Sequence, residues 1–157
     1  MKTYCILYNI RSVYNVGSFF RTADAVGIAK IYLTGYTPTP LDRFGRERGD
    51  VAKVALGAER RIPWEQHTDI IALITKLKNE GVRVASIEQS SSSVDYKNIS
   101  KHKDTAIAFI FGNEVKGLSK SILDKSDTVA QIPMLGKKES LNVSVATGIF
   151  LFRVLNV

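Results

Sequence analysis

Three polar segments in the second half of the chain hold the side chains best placed to do chemistry. They read "IEQSSSS", "FGNEVKG" and "IPMLGKKESLN", and each begins at the end of an apolar run typical of a β-strand. Ligands of open parallel sheets bind at the carboxyl ends of the strands. We therefore expect the three segments to converge on one site that works through backbone groups, hydroxyls, amides and the carboxylate of Glu114.

Familiar catalytic patterns do not account for these segments. "GNEVKGLS" has the glycine spacing of a phosphate-binding loop, but Leu118 stands where that loop needs a lysine. No G-x-G-x-x-G follows a predicted strand, which argues against a dinucleotide site. One cysteine and two distant histidines, His67 and His102, are too few soft ligands for a metal site, and a Ser-His-Asp arrangement lacks its histidine.

A cationic side chain comes from the stretch "NVGSFFRTADAVGI", whose apolar spacing predicts a helix. Gly17, Arg21 and Asp24 lie together on the face opposite its apolar residues. A helical glycine costs about 0.5–1 kcal/mol relative to alanine, so Gly17 indicates close contact with something and leaves Arg21 approachable. The alternative is that Gly17 is simply tolerated and that Arg21 pairs with Asp24 one turn away.

Apolar runs that alternate with amphipathic segments predict βαβ units and a mostly parallel sheet. "TAIAFIFG" does not alternate between apolar and polar residues, so this strand should be central and covered on both faces. The predicted strands are Thr3 to Tyr8, Lys30 to Thr34, Val82 to Ile87, Thr105 to Phe111 and Thr128 to Ile132.

Capping residues and helical spacing place four helices between and after these strands. The last one is apolar nearly all round, so it must be buried on more than one side, and we expect a second copy of the chain to help cover it. The predicted helices run from Asn15 to Val26 with Gly27 closing it, from Thr68 to near Gly81, over a short segment after Ser119, and from Ser140 to Leu155.

The stretch from Gly35 to Ile62 is a long connection rich in arginine, with one helical turn expected around Asp50 to Leu56. Long connections often carry function. Two interpretations stay open for it. The charges could form an ordinary solvated loop, or they could track phosphates while Tyr36 and Phe44 stack on bases.

Composition limits the class of protein. At 157 residues with 45% hydrophobic residues, the chain suits one domain with a sizeable core. The 22 Lys and Arg against 15 Asp and Glu give a net charge of +7, which favours a polyanionic partner such as nucleic acid. The lone Cys5 lies in an apolar run, and no apolar run is long enough to span a bilayer. We expect a cytoplasmic protein with a buried thiol.

"NVGSFFRTADAVGI", "FIFGNEVKGLS" and "IPMLGKKESLNVSVATGIFLF" resemble, in order and spacing, the three motifs of the SpoU/TrmH branch of the SPOUT superfamily, the RNA 2'-O-ribose methyltransferases. The resemblance runs nearly from end to end. It implies an α/β fold with a mostly parallel sheet flanked by helices and a C-terminal trefoil knot. It also implies S-adenosyl-L-methionine as cofactor, tRNA or rRNA as substrate, no metal, and a homodimer with the catalytic site near the subunit interface.

The resemblance assigns roles to the residues that match the three motifs. The implied catalytic residues are Arg21, Asn15, Glu114, Ser140 and Asn142, and the implied cofactor contacts are Ile87, Gly112, Ile132, Met134, Ser140 and Leu141. A guanidinium is a poor proton acceptor, so we expect Arg21 to clamp a phosphate and orient the ribose hydroxyl, while a phosphate or water takes the proton. Asn15 would hold Arg21 or the ribose, and Glu114 would brace two loops.

Longer members of this family carry a separate RNA-binding domain, whereas residues 1–157 should form one catalytic domain. RNA contacts are then expected from Lys116, Lys137, Lys138 and the arginine-bearing connection. Two other functions stay open. One is a non-catalytic RNA-binding module that keeps the knotted fold, and the other, disfavoured by the missing lysine and glycine fingerprint, is a flavodoxin-like phosphate or nucleotide enzyme.

Overall fold

The computed structural model describes residues 2–99 and 105–157, in which strands and helices alternate along the chain. His102 lies outside the described residues. The strands are β1 (Thr3–Tyr8), β2 (Lys30–Thr34), β3 (Trp64–His67), β4 (Arg83–Ile87), β5 (Val94–Asp95), β6 (Ile107–Phe111) and β7 (Thr128–Gln131). The helices are α1 (Val13–Val26), α2 (Gly49–Ala55), α3 (Ala58–Arg61), α4 (Ile70–Asn79), α5 (Lys120–Lys125) and α6 (Val143–Leu155), with a 3₁₀ turn at Tyr96–Asn98.

The seven strands form one sheet in the order β3-β2-β1-β6-β4-β7-β5, and every pairing is parallel. This confirms the α/β class. All five residues of β6 are buried, and β6 is the middle strand, as its unbroken apolar run predicts. Because the strands are parallel, their carboxyl ends meet at one edge, where the polar segments follow them. The C-terminal knot stays a prediction.

The five predicted strands are present with bounds within two residues, but two short strands were missed. β3 reads "WEQH" and β5 only "VD", so neither contains an apolar run. Both lie at the edges of the sheet and are defined by pairing with a neighbour, β3 with β2 and β5 with β7. Strand formation at such positions depends on the tertiary context, which a propensity pattern does not contain.

The predicted start of α1 was wrong. Ser12 is its N-cap, with Oγ accepting a hydrogen bond from the Asn15 backbone N–H at 3.2 Å, so Asn15 lies inside the first turn. Serine and asparagine cap equally well, and the cap falls where the chain leaves extended geometry. Gly27 closes the helix with φ of 74°, as predicted.

Two other caps also lie further along the chain than predicted. Asp69, not Thr68, caps α4, since its carboxylate accepts from two backbone N–H groups of the first turn. Asn142, not Ser140, caps α6, with its side chain accepting from the Ser144 N–H at 2.9 Å. Ser140 therefore belongs to the loop that leads into α6, and its backbone is not part of the first helical turn.

The core has two layers, one on each face of the sheet. α1 and α6 cover one face, where Phe150 of α6 meets Phe109 and Phe111 of β6 edge to face at centroid distances of 4.9 and 5.8 Å. α4 and α5 cover the other face with a second apolar cluster. Cys5 is buried, as expected, and burial raises the pKa of its thiol. No helix among the described residues is long and apolar enough to cross a bilayer.

Gly17 is the point at which α2 packs on α1. A Cβ at Gly17 would lie 2.7 Å from Val54 Cβ and 3.1 Å from the Val51 carbonyl oxygen. The close contact indicated by the sequence is therefore internal, and the idea that Gly17 leaves room for a ligand was wrong. The expected pair between Arg21 and Asp24 is also not formed, because Asp24 pairs with Arg61 of α3 at 3.0 Å.

Gly17→Ala should destabilise the fold by about 1–2 kcal/mol, because the added methyl group overpacks the contact between α1 and α2. At an open helical position, replacing glycine by alanine stabilises the protein by about 1 kcal/mol. A loss of stability in Gly17→Ala would therefore indicate the steric contact. Gly49→Ala is the matched control, since nothing lies within 4 Å of a Cβ there. Urea unfolding followed by circular dichroism measures both, and a Gly17→Ala protein as stable as the control would contradict this packing.

Candidate functional site

The carboxyl ends of β4, β6 and β7, together with the start of α6, enclose a cavity of about 240 Å³. Residues of all three polar segments line it, so the convergence expected from a parallel sheet is confirmed. The lining residues are Ile87, Glu88, Gln89, Phe111, Gly112, Asn113, Glu114, Val115, Lys116, Gly117, Gln131, Ile132, Met134, Ser140, Leu141, Val143 and Ala146.

The cavity gathers part of the predicted site. The six predicted cofactor contacts all lie in its wall, and so do Glu114 and Ser140. Asn15, Arg21 and Asn142 lie outside the wall of this chain's cavity. The contact of each residue with a cofactor or substrate stays a prediction.

Glu114 joins the turn after β6 to the start of α1. Its carboxylate accepts hydrogen bonds from the Arg11 backbone N–H at 2.9 Å, the Ser12 backbone N–H at 3.0 Å and the Asn15 side-chain amide at 2.9 Å. A negative charge at this position also faces the positive end of the α1 dipole. Three hydrogen-bond donors at the start of α1 are therefore held by one carboxylate from the turn after β6, which is the bracing role predicted for Glu114.

The environment of Glu114 shifts its acidity. Burial alone raises its pKa, but the hydrogen bonds from Arg11, Asn15 and Ser12 together outweigh burial and hold the pKa below the ordinary value. The carboxylate is therefore ionised at neutral pH.

Of the two roles predicted for Asn15, the contact with Arg21 is not formed, and the contact with the ribose stays a prediction. The Asn15 side chain is 4% exposed and donates its amide N–H to Glu114, so it works inside the joint between the two motifs. Arg21 lies two turns further along α1 with an exposed side chain. Within residues 2–99 and 105–157 no acidic group pairs with Arg21, which leaves its guanidinium available to an external anion.

Asn113 organises the turn that carries Glu114, and sequence reasoning missed it. Its Oδ1 accepts from the backbone N–H groups of Val115 and Lys116 at 2.9 and 2.7 Å. Its amide donates to the Asn9 carbonyl at 2.8 Å and to the Tyr36 hydroxyl at 2.9 Å. Asn113 thereby ties the ends of β1 and β2 to the turn after β6. An Asn two residues after a buried strand was the available signal.

Glu88 is a second residue that was missed. It follows β4 in the cavity wall, and its Oε2 accepts from the Leu118 backbone N–H at 2.8 Å. Gly117, at φ of 62°, leaves the space that this carboxylate occupies, since any Cβ there would collide with it. The loop after β4 is therefore locked to the turn after β6.

The segment before α6 closes the remaining side of the cavity. Gln89 donates its side-chain amide to the Glu139 carbonyl at 2.6 Å and so links the loop after β4 to this segment. Across the described part of the chain, the backbone N–H groups of Met134 and Leu141 donate to no protein acceptor. Both residues line the cavity, so these groups are candidate donors to a bound molecule. The described residues contain no cluster of His, Cys, Asp and Glu that could hold a metal ion.

Glu114→Gln should destabilise the fold by about 1.5–3 kcal/mol at pH 7, because an amide replaces a charged acceptor of three hydrogen bonds. Since the folded-state pKa lies below the ordinary 4.5, this contribution is full above about pH 4.5 and is lost as pH falls through the folded-state value. Urea unfolding from pH 3 to 7 should therefore show a smaller pH dependence in the variant. Glu80→Gln, at an exposed position, is the control. If the free energy of unfolding of Glu114→Gln depended on pH in the same way as that of the parent protein, the structural role of Glu114 would be contradicted.

Comparison with known proteins identifies the family. The family model described as "SpoU rRNA Methylase family" matches residues 2–152. Relatives from Staphylococcus aureus that are named for the TrmH family of tRNA/rRNA methyltransferases are 32% identical over 154 residues, which is 98% of this chain and 58% of theirs.

Solved structures similar to this chain are methyltransferases of the same kind. An AdoMet-bound rRNA methyltransferase from Sinorhizobium meliloti is 31% identical with a TM-score of 0.88, covering 99% of this chain and 56% of that one. A TrmH/SpoU tRNA-modifying enzyme from A. aeolicus is 25% identical with a TM-score of 0.84, covering 99% of this chain and 74% of that one. The chain spans somewhat more than half the length of the first two of these relatives. It belongs to the SpoU methylase family, in the TrmH branch of the SPOUT methyltransferases.

Proposed function

We propose that this chain is an S-adenosylmethionine-dependent RNA methyltransferase that modifies a ribose 2'-hydroxyl in tRNA or rRNA. The observation that carries the proposal is that all six residues matched to the family's cofactor contacts line one cavity. Membership of the SpoU family and the AdoMet-bound relative at 31% identity support it.

The cavity wall suits this cofactor. Phe111, Ile132 and Ala146 offer apolar surface for a purine ring, and the free backbone N–H groups of Met134 and Leu141 offer donors for its acceptor atoms. The Ser140 hydroxyl and the Glu88 carboxylate can accept from ribose hydroxyls or an ammonium group. When bound, S-adenosylmethionine supplies a methyl group activated by its sulfonium.

Arg21 is suited to hold the RNA. Its exposed guanidinium can form a bidentate pair with the phosphate next to the target ribose and so orient the 2'-hydroxyl. In a displacement reaction, alignment of the attacking oxygen supplies much of the rate. The hydroxyl proton passes to the phosphate or to a water, since a guanidinium does not accept it.

Glu114 and Asn15 act as positioning residues in this proposal. Their hydrogen bond fixes the start of α1 against the turn after β6, which is part of the cavity wall. The position of α1, and of Arg21 on it, is thereby fixed relative to the rest of the same chain, including the surface that a second copy would contact. A change at this joint should alter methyl transfer more than it alters cofactor binding.

A homodimer is part of the proposal. Val145, Ile149 and Phe152 form an exposed apolar row on one face of α6, here named the α6 stripe, and are 51%, 40% and 42% exposed. Leu141, just before α6, is also exposed and lines the cavity. A second copy packed on the α6 stripe would therefore border the cavity and could place an Arg21 beside it, which this chain's own fold does not do.

Arg21→Lys should lower kcat for methyl transfer to RNA by about 100-fold, because a lysine cannot reproduce the bidentate contact. Affinity for S-adenosylhomocysteine, measured by calorimetry, should stay unchanged, since Arg21 lies outside the cavity wall. Transfer of tritiated methyl groups to total RNA measures turnover. An Arg21→Lys protein with near-normal kcat would rule out the clamp, and RNA binding by the parent protein without cofactor binding would favour the non-catalytic module.

Ile149→Glu should convert the dimer to a monomer and raise the dissociation constant by about 10²-fold or more, because it buries a charge in an apolar interface. Sedimentation equilibrium measures the change. Val94→Glu on the edge strand β5 is the control, since Val94 is 42% exposed and so similar to the residues of the stripe. An unchanged mass for Ile149→Glu would place any interface elsewhere.

A further inference from the structure

A short hairpin within the long connection presents an aromatic ring to solvent. Leu41 and Glu47 pair through an antiparallel bridge, and Asp42 accepts hydrogen bonds from the backbone N–H groups of Phe44 and Arg46 at 2.8 and 3.0 Å. This segment, Leu41–Glu47, is here named the Phe44 hairpin. Although its backbone is well braced, the Phe44 ring at its tip is 65% exposed.

Two arginines flank this ring. The guanidinium carbons of Arg43 and Arg46 lie 4.7 and 5.0 Å from the Phe44 ring centroid. Arg46 is also tied to Asp42 by an ion pair of 2.9 Å, so its position is fixed. Arg43 has no acidic partner within residues 2–99 and 105–157, so it can swing away from the ring without breaking an ion pair.

The four other arginines in this connection all form ion pairs. Arg46, Arg48, Arg60 and Arg61 each have a carboxylate oxygen within 3.0 Å. The interpretation of the whole connection as a phosphate-tracking arm is therefore too broad. Among the described residues of this connection, Arg43 is the arginine without an ion pair, and it lies beside an exposed aromatic ring at the hairpin tip; Lys53 in α2 also has no ion pair.

The Phe44 hairpin is fastened to the helix that carries Arg21. Glu47, at the end of the hairpin, pairs with Arg60 of α3 at 2.7 Å, and the neighbouring Arg61 pairs with Asp24 of α1 at 3.0 Å. Asp24 follows Arg21 by one helical turn. Two ion pairs thus link the hairpin to the helix through α3.

We propose that the Phe44 hairpin binds an unpaired nucleotide of the RNA substrate, with the base stacked on the Phe44 ring and the Arg43 guanidinium on an adjacent phosphate. Every nucleobase has a flat π-face that can stack on an aromatic ring, and RNA is recognised mainly at such splayed bases. The net charge of +7 over the whole chain favours a polyanionic partner such as RNA. Only the statement that this RNA is the substrate rests on the proposed function; the stacking contact itself does not.

Binding of a fluorescein-labelled, unstructured RNA of 20 nucleotides, measured by anisotropy, tests the stacking contact. Phe44→Ala and Phe44→Leu should both weaken binding by about tenfold or more, whereas Phe44→Trp should retain it, because stacking needs a π-face. Leu56→Ala is the matched control, since Leu56 is 64% exposed in the same connection. Equal affinity of Phe44→Leu and the parent protein would overturn the proposal, and circular dichroism of each variant excludes unfolding as the cause.

Tryptophan fluorescence gives a direct readout. In a Phe44→Trp, Trp64→Phe protein, the tryptophan at position 44 should be quenched by the single-stranded RNA and much less by a 20-base-pair RNA duplex or by polyphosphate. Equal quenching by the three ligands would overturn stacking. Arg43→Gln should reduce the magnitude of the slope of log affinity against log salt concentration by about one, the value expected for one lost phosphate contact. An unchanged slope would show that Arg43 does not contact a phosphate.

Two further outcomes separate this inference from its rivals. If Phe44→Ala lowers the mass of the protein in solution, the ring belongs to an interface between copies and the proposal fails. Methyl transfer to total RNA is measured in parallel. Quenching by single-stranded RNA in a protein that transfers no methyl group would contradict the proposed activity and support the stacking contact. Normal methyl transfer without quenching would support the activity and contradict the stacking contact.

Discussion

The hydrogen bonds of Glu114 are the interaction on which the rest of the site depends. One carboxylate accepts from the Arg11 and Ser12 backbone N–H groups just before α1 and from the Asn15 side chain, and it comes from a turn about 100 residues further along the chain. Because Glu114 also lines the cavity, this joint connects the cavity to the helix that carries Arg21. Asn113 in the same turn bonds to the ends of β1 and β2, and Glu88 after β4 bonds to it as well, so the ends of three strands are tied to one turn.

The packing of the helices extends this rigidity away from the cavity. α1 is held from one side by α2 at Gly17 and lies over the sheet, where Phe19 meets Phe111 edge to face. Phe111 also contacts Phe150 of α6. α1 and α6 together cover the apolar core on this face of the sheet, and α6 also borders the cavity and presents the α6 stripe. Stability and site geometry share the same contacts, so substitutions in either are expected to affect both.

Much of this arrangement follows from the sequence. Apolar runs located β1, β2 and β6, and the rule that parallel strands place ligands at their carboxyl ends predicted that three distant segments meet. The roles of Asn113, Glu88 and Gly17 did not follow, because each depends on a contact with a segment far away in sequence. The edge strands β3 and β5 were missed for the same reason. The helix caps were misplaced for a local reason, because neighbouring Ser, Thr, Asp and Asn residues can all cap a helix. The exposure of Arg21 was predictable from the helical wheel, whereas the pairing of Asp24 with Arg61 was not.

The central claim is that the cavity at the ends of β4, β6 and β7 holds the methyl donor. The most direct measurement is an NMR titration of the ¹⁵N-labelled chain with S-adenosylhomocysteine, following every backbone amide. We expect saturable shifts at one molecule per chain, largest at Gly112, Met134 and Leu141, which line the cavity. A spectrum that does not change, or shifts confined to amides away from this wall, would contradict the central claim.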